Sequence, residues 1–398
     1  MTTADAVLRK ALVGSGLDTR GWTGVQAGLR DRAFFMAQVE DARILHGART
    51  VCAGVAEGTM SQSEARRDLR SLLGKLGYDP GDGRGTIHDL LTRRRLDVMI
   101  ETNAAQARGY VEYMRSTTAG ALAAYPANEL VRVKERRAPR AWAERWRAAA
   151  ERVGWSGVAR GTARMVALKT SPIWSAISRF GNPFPPFDFN SGMGTDDVSK
   201  RACVALGLVD ENTPTQNPPK IGMNDSLQAE VPFHGNTPEY RRLQDSFGDQ
   251  ITHDGGRVVW RGNLVRDAFE SGKPFEINLG KPTSTLKSML DSDNLKMLRD
   301  KSFTADGKWL DAPRKSGVSH RDHFEPLERD DRNIPLTEYD LELIPSLWRS
   351  PERVRQGGDP GSLVSEIDTV DGGFVRMVID ITNMPRIKTF YKRKVGMG

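Results

Sequence analysis

Six polar residues near the end of the chain have the types and spacing to do chemistry: His320, His323, Arg349, Arg353, Thr389 and Tyr391. Histidine titrates near neutral pH, so His320 or His323 could take or give a proton. A guanidinium at Arg349 or Arg353 could hold a phosphate or a developing negative charge. Thr389 and Tyr391 stand two apart, so on a strand both face one side and could position a substrate through their hydroxyls. The same two histidines are the nearest approach to a metal motif. With no adjacent cysteine or carboxylate pattern to complete a shell, neither a metal nor another cofactor is expected. The plain alternative is a helix cap, solvated arginines and a tyrosine packed on a hairpin. The histidines at 46, 88, 234 and 253 are isolated and read as packed or solvated side chains.

Two elements would have to position these residues. LTEYDLELIPSLWRSPERV is an amphipathic helix with its N-cap at Thr337, stopped near Pro351. GGFVRMVIDITNMPRIKTFYKRK gives two strand-like runs joined around Asn383–Arg386, with Val375, Met377, Ile379 and Ile381 alternating with Arg376, Val378, Asp380 and Thr382. Helix followed by antiparallel hairpin predicts a small α+β domain over 312–398.

The front of the chain is different. Leu29, Phe34, Phe35, Val39, Ile44, Leu45 and Val51 follow helical spacing; Ser61 and Glu64 form a capping box; a third helix is expected from Thr86 to about Arg115. ELVRVKER alternates like a strand, AWAERWRAAAERVGW reads as a helix, and a short helix is expected to begin near Ser199. Residues 211–311 read as a connector: 210–260 are rich in Pro, Asn, Gly and Asp and irregular, and two short helical pieces follow, NLVRDAFESG and TSTLKSMLDSDNLKMLRDKSF. The fold class expected is therefore α+β multidomain: a mainly helical region 1–210, the connector, and the tail domain.

Composition bounds the function. The 398 residues carry 58 Lys and Arg against 51 Asp and Glu, a net charge of +7, so nucleic acid is a conceivable partner. The charge is spread, and its densest patches, Arg93-Arg94-Arg95 and Arg132 to Arg147, also suit solvated helix faces. Two distant cysteines, Cys52 and Cys203, exclude a disulfide scaffold and point to a reducing, cytoplasmic setting. No apolar run is long enough for a bilayer, and MTTADAVLRK lacks the apolar core of a signal peptide, so no membrane partner is expected. P-loop, paired-glycine, GxSxG and HExxH signatures are absent.

The oddest run is FGNPFPPFDFNSGMG, Phe180 to Gly194, whose prolines forbid a helix or central strand while its rings are costly to leave in water. Trp174, Phe180, Phe184, Phe187 and Phe189 on a loop stiffened by Pro185 and Pro186 either clamp it to the chain's own core or anchor another protein.

These residues resemble a known family. Residues 28–210 are similar to the N-terminal half of phage Mu F-like minor head, or head-morphogenesis, proteins. The family's helix with a Thr-Asn pair maps onto Thr102 and Asn103, followed by Ala107, Arg108 and Tyr110, and its Pro-Pro loop onto the Pro-Pro-Phe block. The family's Asp-x-Arg…His and Cys-Arg-Cys motifs are replaced by VKERRAPRAW and SKRAC, so no metal or crosslinking role carries over. The resemblance implies a minor capsid component acting near the portal, with portal and head proteins as partners and packaged DNA or RNA met through the basic patches. Its implied location is the host cytoplasm during assembly and the virion head or neck. The tail in turn resembles phage-associated domains of the barnase–EndoU–colicin–RelE nuclease superfamily, which implies a rival reading. In that reading the tail is a metal-independent ribonuclease using His320, His323, Arg349, Arg353, Thr389 and Tyr391.

Overall fold

The computed structural model describes residues 1–217 except 15–16, 19–20, 22–24, 26, 87, 136–139 and 155–163; then 230–232, 251–254, 257–260, 275–277, 284–289 and 303–305; and 333–394 except 338, 350 and 381–385. Within them the chain is an α+β multidomain protein. Helices dominate the beginning: α1 (Thr3–Leu8), α2 (Ala27–Arg32), α3 (Ala42–Glu57), α4 (Gln62–Lys75), α5 (Arg93–Ser116) and α6 (Ala119–Ala124), with a short parallel pair, β1 (Ala11–Leu12) and β2 (Ala33–Phe34). Asp41 caps α3 through the Arg43 amide, and Ser61 with Glu64 forms the expected capping box on α4. The third long helix starts at Arg93, later than expected. The Asp89 carboxylate accepts the amides of Gly85 and Leu91 and turns the chain before α5 can begin. Leu45, Ala48, Val51, Cys52 and Val55 of α3 pack against Leu69 and Leu73 of α4 and Leu96, Ile100, Ala104, Ala107 and Val111 of α5.

A second unit follows. β3 (Ala127–Arg132) lies between β4 (Val166–Leu168) and β5 (Met193–Val198) in an antiparallel sheet. The helices α7 (Trp142–Arg152) and α8 (Ile173–Ile177) pack on it, with Trp146 edge-on to Trp174 at 5.2 Å. α9 (Lys200–Ala205) begins beside Ser199 as expected, and the Ser199 side chain caps it by accepting the Ala202 amide.

The connector is more regular than its composition predicts. β6 (Glu230–Pro232), β8 (Arg257–Trp260) and β7 (Ile251–Asp254) form an antiparallel sheet in that order, and β9 (Phe275–Ile277) pairs with β10 (Phe303–Ala305). Strands of three or four residues are too short for a period-two pattern to stand out among Pro and Gly. The expected helix NLVRDAFESG lies outside the described residues. Of the second piece, Ser284–Met289 forms α10, whose Leu286 is buried in the core of the last unit; residues 290–302 lie outside the described residues, and Phe303 opens β10 instead.

That last unit is a five-stranded antiparallel sheet in the order β11 (Asn333–Ile334), β15 (Arg386–Lys394), β14 (Gly373–Asp380), β13 (Ser362–Asp368), β12 (Arg353–Gln356). The β14–β15 hairpin is the one expected. The helix from Thr337 is instead split into a 3₁₀ turn, Asp340–Leu343, and α11 (Ile344–Arg349). Thr337 donates through its amide and hydroxyl to the Asp340 carboxylate at 2.8 and 3.0 Å, tightening the first turn, and Pro345 has no amide to continue a longer helix. Leu347 and Trp348 cover one sheet face, made of Leu363, Ile367, Val375, Met377, Ile379, Ile387 and Phe390. A bulge at Val378/Ile379 lets Ile387 and Phe390 both point into this core despite their odd spacing.

The last unit is docked on α3. Gly47 leaves room there: a side chain would meet Leu72 at 2.4 Å and Val370 at 3.4 Å. Beside it Arg49, fully buried, lies 2.7 Å from Glu342, donates to the Lys10 carbonyl at 2.7 Å and covers the Tyr339 ring at 5.2 Å. His46 is 3.5 Å from Asp340, which Lys392 approaches at 3.4 Å while pairing with Asp371 at 2.7 Å. Burial, with Arg49 and Lys392 close by, drives the His46 pKa down to about 4 against the pull of Asp340. Burial also opposes the Lys392 charge, but Asp340 and Asp371 outweigh it and hold that pKa above its ordinary value.

Candidate functional site on the C-terminal sheet

The sheet face turned away from α11 carries its polar residues in cross-strand rows. Arg353 lies opposite Glu366, Glu366 opposite Arg376, and Arg376 opposite Tyr391, so one row crosses four strands. One neighbouring row holds Asp368, Phe374 and Arg393; the other holds Arg355, Val364, Val378 and Thr389. Strand alternation puts these side chains on one face while their neighbours fill the core.

The contacts make one network. Arg353 bonds Glu366 at 2.9 Å and Asp368 at 2.6 Å; Arg376 forks onto Glu366 and donates to the Tyr391 hydroxyl at 2.5 Å; Arg355 stands 3.6 Å from Glu366. Aromatic rings alternate with the cations. Phe374 meets Arg353 at 5.7 Å and Arg376 at 5.0 Å, and Tyr391 meets Arg376 at 5.4 Å and Arg393 at 5.2 Å. Burial of Glu366 would raise its pKa, but Arg353 and Arg376 outweigh burial and hold the carboxyl below the usual range. The Arg353 hydrogen bond to Asp368, with that to Glu366, keeps the guanidinium charged against its own partial burial.

A carboxylate, a phenol and several guanidiniums are parts that proton transfer and phosphate binding both use. Here, however, the Glu366 oxygens are engaged by three arginines, so it acts as a clamp between strands. Replacing Glu366 by glutamine is expected to destabilise the last unit by about 1–3 kcal/mol, because the guanidiniums lose their shared counter-charge. Urea unfolding of the variant beside wild type measures this; an unchanged midpoint would show that the clamp contributes nothing.

Of the residues picked from the sequence, Arg353, Thr389 and Tyr391 come together on this face, the last two on one side of β15 as expected. Arg349 does not join them: it ends α11, on the opposite layer, with an exposed side chain. His320 and His323 lie outside the described residues. Glu366, Phe374, Arg376 and Arg393 were not anticipated as site residues. Arg376 was visible only as the polar phase of its strand, and Glu366 sits in SLVSEID, where Leu363 and Val364 side by side hide the alternation. Among the described residues no group of three or more His, Cys, Asp or Glu could hold a metal. No helix among them is long and apolar enough to cross a membrane.

The Pro/Phe block lies elsewhere and its rings point inward. Phe184 wedges between Tyr110 and Tyr113 of α5, 5.7 Å from each ring, and belongs to the helical core. Phe187 stacks on Trp174 at 5.8 Å in the core of the second unit. Trp174, Phe184 and Phe187 are fully buried and Phe180 nearly so, whereas Phe189 is half-buried with its ring edge-on to Phe180. Of the two roles open for these rings, clamping the loop to the chain's own core is the one they fill. As anchors for another protein, Trp174, Phe184 and Phe187 have no exposed face. Pro185 and Pro186 run along α5 at Gly109, where a β-carbon would stand 1.8 Å from the Pro185 carbonyl oxygen. Asp188 then ties the loop to Arg145 at 2.8 Å, with Arg179 and Arg140 at 3.8 and 3.9 Å.

The other motif residues on α5 also bond within the chain. Arg108 donates to the carbonyls of Val55 and Ala56, closing the C-terminal turn of α3. Asn103 donates to the Met99 carbonyl at 3.0 Å, and Thr102 is half-buried beside it. Compared with protein-family models, with curated proteins and with solved structures, the chain matches none of them.

Proposed function

We propose that this chain is a minor head protein that acts in head morphogenesis near the portal, as a structural component rather than a catalyst. Its partners in this reading are portal and head proteins, and it works in the host cytoplasm during assembly and in the head or neck afterwards. The supporting observation is the joint between α5 and the Pro/Phe loop. The two stretches that carry the resemblance, remote in sequence, meet there: beside Tyr110, Gly109 admits Pro185 and Phe184 fills the gap between Tyr110 and Tyr113, while Arg108 closes α3 on another side of the helix. All of them pack or cap, and none presents a reactive group to a cleft. Contact with packaged DNA or RNA through Arg93-Arg94-Arg95 has less support, since Arg93 faces Asp97 at 3.4 Å and Arg95 donates to the carbonyls of Ala37 and His88. Deleting the chain from the genome that encodes it should reduce DNA-filled heads at least tenfold while DNA replication continues. Normal head yield without the chain would overturn the reading.

The cross-strand row on the C-terminal sheet favours a second reading, a metal-independent ribonuclease. Glu366 would be the base once released from an arginine, Arg353 and Arg376 would hold the phosphate, and Tyr391 would supply a hydroxyl. The full chain should be incubated with labelled RNA in EDTA. The structural reading expects no cleavage. Cleavage by wild type that Glu366→Gln abolishes would establish the ribonuclease instead.

A further inference from the structure

Three arginines of the second basic patch, Arg132, Arg140 and Arg147, line a cavity of about 420 Å³. The cavity lies between the end of β3, the start of β5 and the first turns of α7. Its floor is apolar: Leu130, Trp142 and Met193 are buried and Met165 is half-buried. Its rim is charged and exposed, with Arg132, Arg140 and Arg147 on it and Glu144 as the lone acid. Among the described residues Arg132 and Arg147 have no ion-pair partner. Arg147 reaches only the Ala143 carbonyl, at 3.4 Å. Arg140 leans toward the Pro/Phe loop, donating to the Phe189 carbonyl at 2.7 Å.

We propose that this cavity docks an acidic segment of a partner protein, with one large apolar side chain on the Leu130–Met165–Met193 floor and flanking carboxylates on Arg132, Arg140 and Arg147. Charge complementarity selects an anionic partner, and guanidiniums suit carboxylates through paired N–H donors. The floor then selects between anions. A nucleobase lowered onto Leu130, Met165 and Met193 would bury its polar edge against groups that cannot hydrogen-bond, whereas a leucine, methionine or phenylalanine would not. Glu144 on the rim would also repel a continuous phosphate backbone, but leaves room for carboxylates placed to either side of it. Methionine on the floor lets the cavity adjust to differently shaped apolar side chains. The volume lies in the range of pockets that hold one compact group. This site stands independently of the head-protein reading, since its chemistry is set by α7 and the β3 sheet alone.

The test uses the full chain and an array of ten-residue fluorescent peptides. Each has one Leu, Met, Phe or Trp flanked on both sides by Glu and Asp; controls carry Gln and Asn for the acids, or Ala for the central residue. Single-stranded dT and rU ten-mers are run alongside. Anisotropy titration should show saturable binding of the acidic apolar peptides, weakened at least tenfold in both control sets. Arg132→Gln/Arg147→Gln should weaken it at least tenfold too, with unchanged circular dichroism, since both side chains are exposed. Three results would overturn the proposal: no acidic peptide binds, the double variant binds as well as wild type, or the oligonucleotides bind more tightly than every peptide.

Discussion

Replacing Gly109 by alanine is expected to destabilise the chain by about 3 kcal/mol, although alanine is the better helix former. Gly109 lies inside α5, where glycine costs roughly 0.5–1 kcal/mol relative to alanine, so propensity alone predicts a gain. Packing reverses the sign. The added β-carbon would stand 1.8 Å from the Pro185 carbonyl oxygen and 2.9 Å from its carbon. That obstacle is backbone on a proline-stiffened loop, so it cannot swing aside as a flexible side chain could. The loop must lift, and Phe184 then leaves its place between Tyr110 and Tyr113. In a cooperative unit of roughly 150–250 residues, the size of the front of the chain, a loss of that size corresponds to a melting temperature lower by about 6–12 °C. Gly120 supplies the control: it lies in α6, where an added β-carbon would meet nothing within 4 Å, so Gly120→Ala should be neutral or stabilising. If both variants melt alike, the loop is not seated on α5 as described.

Acidification is expected to weaken the chain through His46 by about 3 kcal/mol between pH 6.5 and 4. Burial lowers the folded-state pKa from 6.5 to about 4, so in that window the unfolded chain binds a proton that the folded chain refuses. The contribution is fully present above pH 6.5 and is lost as the pH falls toward 4. The charged groups around the ring are Asp340, Arg49, Lys392 and Asp371, so the proton would enter a buried network that bridges α3 and the last unit. Asp31, whose burial raises its carboxyl to about 6, works in the opposite direction and would mask the effect in wild type alone. The measurement is therefore a difference: urea stability of wild type minus that of His46→Gln, at pH 7 and at pH 4.5. Wild type should lose at least 2 kcal/mol more than the variant, roughly the larger part of the linkage term. Equal losses would mean that His46 is solvated and that the last unit is not docked on α3 in solution.

Sequence reached the local elements better than their assembly. Helix starts are legible where their chemistry is local: Ser61 with Glu64 forms the expected capping box, and the short helix begins beside Ser199, whereas the expected cap at Thr337 gives way to a 3₁₀ turn. The β14–β15 hairpin was legible because its period-two pattern runs through eight residues of β14. What escaped depends on partners far along the chain. β13 is an interior strand buried on both faces, so SLVSEID shows no alternation. The row from Arg353 to Tyr391 exists only through strand register, which spacing along the sequence does not encode. Similarly, the rings of the Pro/Phe block were recognised as needing cover. That Phe184 would find it on α5 and Phe187 on Trp174 required the fold.

The most direct test of the central claim is quantitative mass spectrometry of purified proheads and mature particles from the genome that encodes the chain. The head-protein reading predicts its peptides in proheads at a fixed ratio to the portal protein, reproducible between preparations. Particles that package DNA normally and contain no trace of the chain at either stage would contradict it.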